Sequence, residues 1–246
     1  MSQRPPRRVN GATGRVSGGT RGAGGAKPGL SRKEDPAKKR RRGLSLLRIL
    51  RKEFPSAQTA LRHENAFQLL VATILSAQCT DERVNMVTGD LFRKYPAPAD
   101  LALVPREELE KEIRSTGFYR MKAKNVIACC SMLVGRFGGI VPRNMDDLVN
   151  LPGVGRKTAN VVLGQAFGIT SGVVVDTHVQ RLARLLGFTN EETPERIEAD
   201  LMELFPEKDW IELGTLLILH GRKTCKARTP DCPACPVNHL CPSSAV

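Results

Sequence analysis

The stretch that decides the fold is Leu151-Pro-Gly-Val-Gly-Arg-Lys-Thr-Ala-Asn160, a tight turn that leads directly into a helical pattern. Its Pro-Gly pair predicts the turn, and Gly155 allows a close approach of the backbone to another molecule. From Arg156 onward, apolar residues recur at helical spacing and form one stripe: Ala159, Val162, Leu163 and Ala166. With the short helix predicted at Met145–Asn150, this is a helix–hairpin–helix unit. Its free amides, from Val154 to Arg156, are suited to bind the phosphate of a nucleic-acid backbone.

Lys157 lies near the start of the second helix and points away from the apolar stripe, about 160° from Ala159. The local sequence leaves two interpretations open: a solvated or phosphate-binding lysine, or a nucleophilic amine. Asp176 presents a similar choice, because it precedes another amphipathic helical pattern. It is either an ordinary N-cap or a carboxylate that accepts and delivers protons beside the lysine.

The composition favours an anionic partner, because 38 Lys and Arg stand against 25 Asp and Glu, which gives a net charge of +13. Residues 1–43 hold 13 of these basic residues and two acidic ones, with almost no aliphatic residue. We predict a disordered tail there, which is either a non-specific nucleic-acid tether or an inert segment. No signal segment and no run of about 18 apolar residues is present, so we expect a cytoplasmic protein without membrane contact.

Helical spacing recurs from Leu44 onward, and Gly and Pro residues punctuate it. The run Val173–Val175 favours a strand but is too short to found a sheet, so the predicted fold class is all-α. After a first helix that contains Leu46–Phe54, the predicted helices are Ala66–Leu75, Val84–Phe92, Arg106–Ile113, Ala123–Phe137, Met145–Asn150, Thr158–Phe167, Thr177–Leu186, Pro194–Leu204 and Ile211–His220.

Four of the seven cysteines lie within 17 residues near the C-terminus, at Cys225, Cys232, Cys235 and Cys241. This segment has no core of its own, so metal ligation would supply its stability. The six residues between the first two cysteines exceed the usual spacing of structural zinc ligands. The spacing alone therefore leaves a zinc ion and an iron–sulfur cluster open. Basic residues around the cysteines form a collar suited to phosphates: Arg222, Lys223, Lys226 and Arg228.

Together these motifs resemble the endonuclease III family of helix–hairpin–helix DNA glycosylases over residues 44–242. The resemblance is carried by the hairpin stretch, the four cysteines, and the segments Leu75–Asp81, Gly117–Lys124, Val175–His178 and Leu219–Arg222. It implies a two-lobed all-α fold. A six-helix barrel would span residues 59–170, and residues 44–58 and 171–246 would form a lobe whose four cysteines hold one 4Fe–4S cluster.

The resemblance also implies a function in base excision repair on double-stranded DNA. The enzyme would remove oxidised pyrimidines and then cleave 3′ to the abasic site by β-elimination, as a monomer associated with the bacterial nucleoid. Lys157 is the implied nucleophile, and Asp176 is the carboxylate that activates it. The implied DNA contacts are Gln78, which fills the space left by the base, the wedge residues Thr116 and Phe118, and the group Gly153, Val154, Gly155, Arg156 and His178.

Two rival functions follow from the same motifs. An adenine-removing mismatch glycosylase of the same superfamily shares the four cysteines, but it usually lacks a lysine at the position of Lys157. A non-enzymatic DNA-binding module would use the hairpin for phosphate and the cysteines for zinc. The combination of Lys157 with Asp176 disfavours this second alternative.

Overall fold

Eleven α-helices and three short 3-10 turns make up the secondary structure of residues 34–246, the part of the chain that the computed structural model describes. This part contains no β-strand, which confirms the predicted all-α class. The helices are α1 Pro36–Glu53, α2 Ala66–Leu75, α3 Asp81–Lys94, α4 Pro98–Leu103, α5 Arg106–Glu112, α6 Tyr119–Phe137, α7 Met145–Val149, α8 Arg156–Phe167, α9 Thr177–Leu185, α10 Pro194–Leu204 and α11 Trp210–Lys223.

The first helix begins earlier than the sequence pattern indicated, so the prediction of a disordered tail is wrong for its last residues. Asp35 caps α1 by accepting a 3.0 Å hydrogen bond from the Lys38 amide, and Pro36 occupies the first turn. Arg42 then anchors the helix, because its Nη1 donates to the carbonyl oxygens of Leu186 and Leu240 at 2.8 and 3.1 Å. The rest of the predicted tail, residues 1–33, lies outside the described residues.

Two hydrophobic cores form within residues 34–246. The first, which we call the central core, is built from buried side chains between Leu61 and Leu163. The second, the terminal core, combines Leu46, Leu47 and Leu50 of α1 with buried side chains between Val173 and Val237. Both cores belong to one compact unit, Glu34–Val246, so the division into two domains stays a prediction.

Helix α8 belongs to the central core and is followed by an extended segment that leads into α9 in the terminal core. Helix α11 packs closely against this segment at Gly214, where an added Cβ atom would come within 3.1 Å of the Val174 carbonyl oxygen. It also packs on α8, since a Cβ atom at Gly164 would lie 3.2 Å from the Ile211 side chain. Helix α11 therefore contacts both α8 and the segment that leads into α9, and all three line one cleft.

Among residues 34–246, no helix combines the length and the apolar character that a membrane span needs.

Candidate active site

A cavity of about 110 Å³ in this cleft is lined by both Lys157 and Asp176. The structure therefore brings together the two residues that the sequence singled out for catalysis, although 19 positions separate them along the chain. Further polar residues line the same cavity: Thr73, Ser76, Asp81, Asn160, Thr215 and Arg222. Asp81 at the start of α3 and Arg222 near the end of α11 form an ion pair, which joins the two sides of the cleft.

Lys157 is the second residue of α8 and is exposed. No side chain caps this helix, whose N-cap is Gly155. The Ala159 amide is the first that donates within the helix, to the Gly155 carbonyl oxygen at 3.0 Å, so the amides of residues 156–158 have no acceptor in the helix. The Val154 amide differs from the prediction, because it donates to the Leu151 carbonyl oxygen at 3.0 Å within the hairpin. The amides that are free to bind an anion therefore lie slightly later in the chain than the sequence suggested.

Asp176 is the N-cap of α9 and is partly buried. One carboxylate oxygen, Oδ1, accepts hydrogen bonds from the amides of His178 and Val179, both at 2.8 Å. Within residues 34–246, the second oxygen, Oδ2, has no hydrogen-bond partner. Capping therefore occupies one oxygen and leaves the other able to exchange a proton with a group in the cavity, so the two roles that the sequence left open are compatible.

The side chain of Arg156 is 48% exposed and forms an ion pair with Glu198, while the predicted DNA contact through its backbone amide stays a prediction. Its Nε donates to Glu198 Oε2 at 2.7 Å and its Nη2 donates to Glu198 Oε1 at 3.2 Å. This hydrogen bond is the main reason why the pKa of Arg156 is raised. Glu198 is buried and also accepts from Asn160 Nδ2 at 2.9 Å. The guanidinium thus secures the start of α8 against α10, and the backbone amide of Arg156 is the part that stays available to a phosphate.

Two of the predicted insertion residues have an unusual backbone conformation. Gln78, in the turn between α2 and α3, has a φ of +52°, and Phe118, before α6, has a φ of +47°. They are the non-glycine residues with positive φ among residues 34–246, and such strain is often found at functional sites. Both side chains are exposed, and Phe118 exposes 67% of its surface.

Thr116 does not share this exposure. It is buried, and its hydroxyl donates to the Ile113 carbonyl oxygen at 2.8 Å. Its hydroxyl therefore serves the fold, and the burial does not support the wedge role predicted for its side chain. Phe118, in contrast, presents an exposed apolar ring at this turn.

The remaining predicted DNA contacts lie beside the cleft. Gly153 has a φ of +80°, and a Cβ atom there would lie 2.9 Å from Asn125 Cβ, so the hairpin requires glycine. Gly155 is different, since a Cβ atom there would meet no atom within 4 Å. His178 is partly buried, and its side chain packs against Gly221 of α11.

The four C-terminal cysteines are free thiols that line one cavity of about 90 Å³ together with His220. Arg181 Nη1 lies 3.6 Å from Cys225 Sγ, and His220 Nε2 lies 3.6 Å from Cys235 Sγ. Burial raises the pKa of the Cys235 and Cys241 thiols. In the described part of the chain, no three His, Cys, Asp or Glu side chains converge tightly enough to hold a single metal ion.

The predicted basic collar is partly engaged in ion pairs. Arg222 is paired with Asp81, and Lys223 Nζ lies 2.7 Å from Glu53 Oε1. Lys226 and Arg228 are exposed. Two of the four basic side chains are therefore paired with acidic residues of other helices.

The sequence interpretation missed Glu198, which holds the start of α8. The sequence did contain a signal for its burial. Glu198 directly follows Ile197 and precedes Leu201 by three residues, and both of these apolar residues are buried in α10. An acidic residue among the core positions of an amphipathic helix needs a partner, and such a residue is a candidate for a structural ion pair.

Comparison with known proteins decides the family. Residues 71–207 match the HhH-GPD superfamily of base excision DNA repair proteins. Endonuclease III from Synechocystis sp. is 53% identical over 208 residues, which cover 85% of this chain and 95% of the relative. This chain belongs to the endonuclease III family of HhH-GPD base excision DNA repair proteins. Membership confirms the predicted activity class, a DNA glycosylase and abasic-site lyase, and argues against the non-enzymatic zinc module.

Two solved structures of endonuclease III show the same fold. One is a non-covalent complex with DNA, and the other is a trapped covalent intermediate with DNA that contains an estranged adenine. Each is 47% identical, with a TM-score of 0.79, and covers 83% of this chain and 96% of the chain compared.

Proposed function

We propose that this chain excises damaged pyrimidines from double-stranded DNA with Lys157 as the nucleophile and then cleaves the strand 3′ to the resulting abasic site. One observation carries the proposal: Lys157, at the uncapped start of α8, and Asp176, at the start of α9, line the same cavity. An amine and a carboxylate brought together from separate elements match the needs of nucleophilic catalysis.

The chemistry begins with the neutral amine of Lys157. Its nitrogen attacks C1′ of the damaged nucleotide, and the bond to the base breaks, with the electron pair leaving on the base. Asp176 Oδ2 takes up and returns the protons that the amine and the ring oxygen exchange. The ring then opens to an iminium, which acidifies the C2′ proton. Loss of that proton expels the 3′ phosphate, and water releases the lysine.

The chain binds DNA through two kinds of contact. The open amides at the start of α8 bind a backbone phosphate, since a helix N-terminus attracts anions. Gln78 fills the space that the damaged base leaves. Phe118 wedges the opposite strand, where an apolar side chain between base steps offsets the cost of unstacking. Double-stranded DNA with oxidised pyrimidines or abasic sites is therefore the proposed substrate, bound by a monomer at the bacterial nucleoid.

We also propose that the four cysteines hold one 4Fe–4S cluster within a separate terminal domain. Four free thiols around one cavity fit this group, and Arg181 and His220 contact two of the sulfurs. A zinc ion needs all its ligands at about 2.3 Å from one point, whereas the cluster spreads its four thiolates over four irons. When bound, the cluster would stabilise a segment that lacks its own core. Iron, acid-labile sulfide and zinc analysis of purified protein distinguishes the two metals.

Borohydride trapping tests the catalytic proposal. With a duplex that contains one oxidised pyrimidine, the native protein should form a covalent adduct, because borohydride reduces the iminium to a stable amine. Lys157→Gln should form none and should cleave no strand, while it still binds the duplex through the α8 amides. The matched control is Lys124→Gln, at an exposed lysine of α6, which should trap normally. Full trapping by Lys157→Gln would show that another amine does the chemistry.

A further inference from the structure

Lys122, on α6, is a lysine whose side chain is almost completely removed from solvent, with 4% of the residue exposed. Its Nζ donates to the Leu75 carbonyl oxygen at 2.7 Å and to the Thr116 carbonyl oxygen at 2.8 Å. Its backbone amide donates to the Phe118 carbonyl oxygen at 3.1 Å. One residue therefore ties three points of the backbone together.

Burying an ammonium group has a high cost, so this position needs a physical explanation. Both acceptors of Nζ are carbonyls rather than carboxylates, and desolvation accordingly lowers the pKa of Lys122. Leu75 ends α2 and Thr116 ends a 3-10 turn, where carbonyls lack intrahelical partners and carry the negative end of the helix dipole. The ammonium thus satisfies the free ends of two elements at once.

These two elements lead directly to the strained residues. Gln78 follows Leu75 by three residues, and Phe118 follows Thr116 by two. A carbonyl just before each positive-φ turn is therefore fixed to the same nitrogen atom. This bridge links the backbones of the Gln78 and Phe118 turns, whose own side chains are exposed and do not anchor them in the core.

We propose that Lys122 is a positioning residue for base extrusion, which holds the Gln78 and Phe118 turns at the spacing needed to enter the duplex together. The inference rests on the proposed insertion of these two side chains. Lys122 touches neither substrate nor reacting atoms in this role and acts through the two turns.

The test measures the activity of Lys122→Met on two substrates. This substitution keeps most of the length and the apolar packing of the side chain and removes the ammonium. One duplex contains an oxidised pyrimidine, which must be unstacked. The other contains a preformed abasic site, which has no base to extrude. We expect single-turnover excision of the lesion to fall by at least about tenfold and lyase activity on the abasic site by less than about threefold. Lys124→Met, at an exposed lysine of the same helix, is the control and should change neither the excision rate nor the lyase rate.

A double-mutant comparison separates positioning from a merely structural role. Lys122→Met is introduced into a Gln78→Ala/Phe118→Ala background, in which the turns have nothing to insert. If Lys122 acts through the turns, its effect on lesion excision largely disappears there, because the substitutions are not additive. An equal loss in both backgrounds, or equal losses on both substrates, overturns the proposal.

The failure of the underlying function gives a different result. If the Gln78→Ala/Phe118→Ala variant excises the lesion at the native rate, the proposed insertion of these side chains is wrong. The proposed role of Lys122 is then wrong as well. Thermal unfolding is measured for every variant. Where Lys122→Met unfolds too readily, Lys122→Gln, which keeps a donor for one carbonyl, undergoes the same comparison.

Discussion

Two helix starts meet at the cavity, and they are built in opposite ways. Helix α9 begins with Asp176, whose Oδ1 satisfies two of its own amides. Helix α8 begins with Gly155, which has no side chain to offer, and its first amides stay open. Each start carries one of the proposed catalytic groups.

The difference assigns different tasks to the two ends. A capped start is closed to outside anions, because its amides already have an acceptor. The two hydrogen bonds to Oδ1 also hold the Asp176 carboxylate in place, and Oδ2 stays available for proton transfer. An uncapped start with a positive dipole is open to a phosphate. We infer that the open start of α8 holds the DNA backbone beside the nucleophile, Lys157, whereas the capped start of α9 supplies the carboxylate for proton transfer. Substitutions at four positions test this division.

The largest effect is expected at Asp176. Asp176→Asn keeps an oxygen that caps α9, so the thermal unfolding temperature should change little. It loses the carboxylate, so single-turnover excision should fall by about 10²–10⁴-fold, the usual contribution of acid–base catalysis. Asp176→Ala should lose the rate and, in addition, about 1 kcal/mol of stability with the cap. A native rate in Asp176→Asn would show that capping is the only role of this residue.

The next largest effect, a loss of stability, is expected at Glu198, which holds the open start of α8 in place. Glu198→Gln keeps the shape of a side chain that binds Arg156 and Asn160 but removes its charge. We expect a loss of about 2 kcal/mol in the free energy of unfolding, because the amide offers one acceptor oxygen in place of two and its hydrogen bonds to Arg156 are no longer between opposite charges. Glu195→Gln, at an exposed position of α10, is the control in the same denaturant titration. Equal stability of the two variants would contradict the role given to Glu198.

The sequence could predict the parts of this site that depend on local patterns. Helices α2 and α10 have the predicted bounds, because periodic apolar residues and clear end signals define them. Helix α4, Pro98–Leu103, was missed because six residues are too few for a periodic pattern. The early start of α1 was missed although Asp35-Pro36 is a typical N-cap followed by proline.

Long-range partners are the part that local patterns do not reveal. The sequence predicts a phosphate contact at Arg156, but it gives no indication that Glu198, which lies 42 positions away, binds the side chain. Lys122 stands on the apolar stripe of α6 with Val126, Cys129 and Leu133, which indicates that it is buried. Its two acceptors are carbonyls, however, and no side-chain pattern marks a carbonyl as a partner.

A moderate effect is expected when the open start of α8 is closed. Gly155 has an extended backbone with φ of −93° and open space beside its Cα, so a side chain fits. Gly155→Asp would cap the amides with a carboxylate and repel a phosphate, so duplex affinity should fall by about tenfold at low salt. Gly155→Asn caps without charge and should weaken binding less. Equal affinity of Gly155→Asp and the native protein would rule out the phosphate site.

The smallest effect is expected at a third helix start, that of α1, which does not line the cavity. Asp35 caps it by accepting from the Lys38 amide, in the same manner as Asp176 caps α9. Asp35→Ala should therefore cost about 1 kcal/mol or less in the free energy of unfolding, because the cap is exposed. Excision and trapping should stay at native levels, since no proposed DNA contact depends on this end of the helix. The comparison with Asp176→Ala then separates the two roles of an N-terminal aspartate: similar losses of stability, with a loss of rate at Asp176 alone. If Asp35→Ala also slowed excision at a saturating concentration of enzyme, loss of a cap would be enough to explain the rate, and the catalytic reading of Asp176 would rest on Asp176→Asn alone.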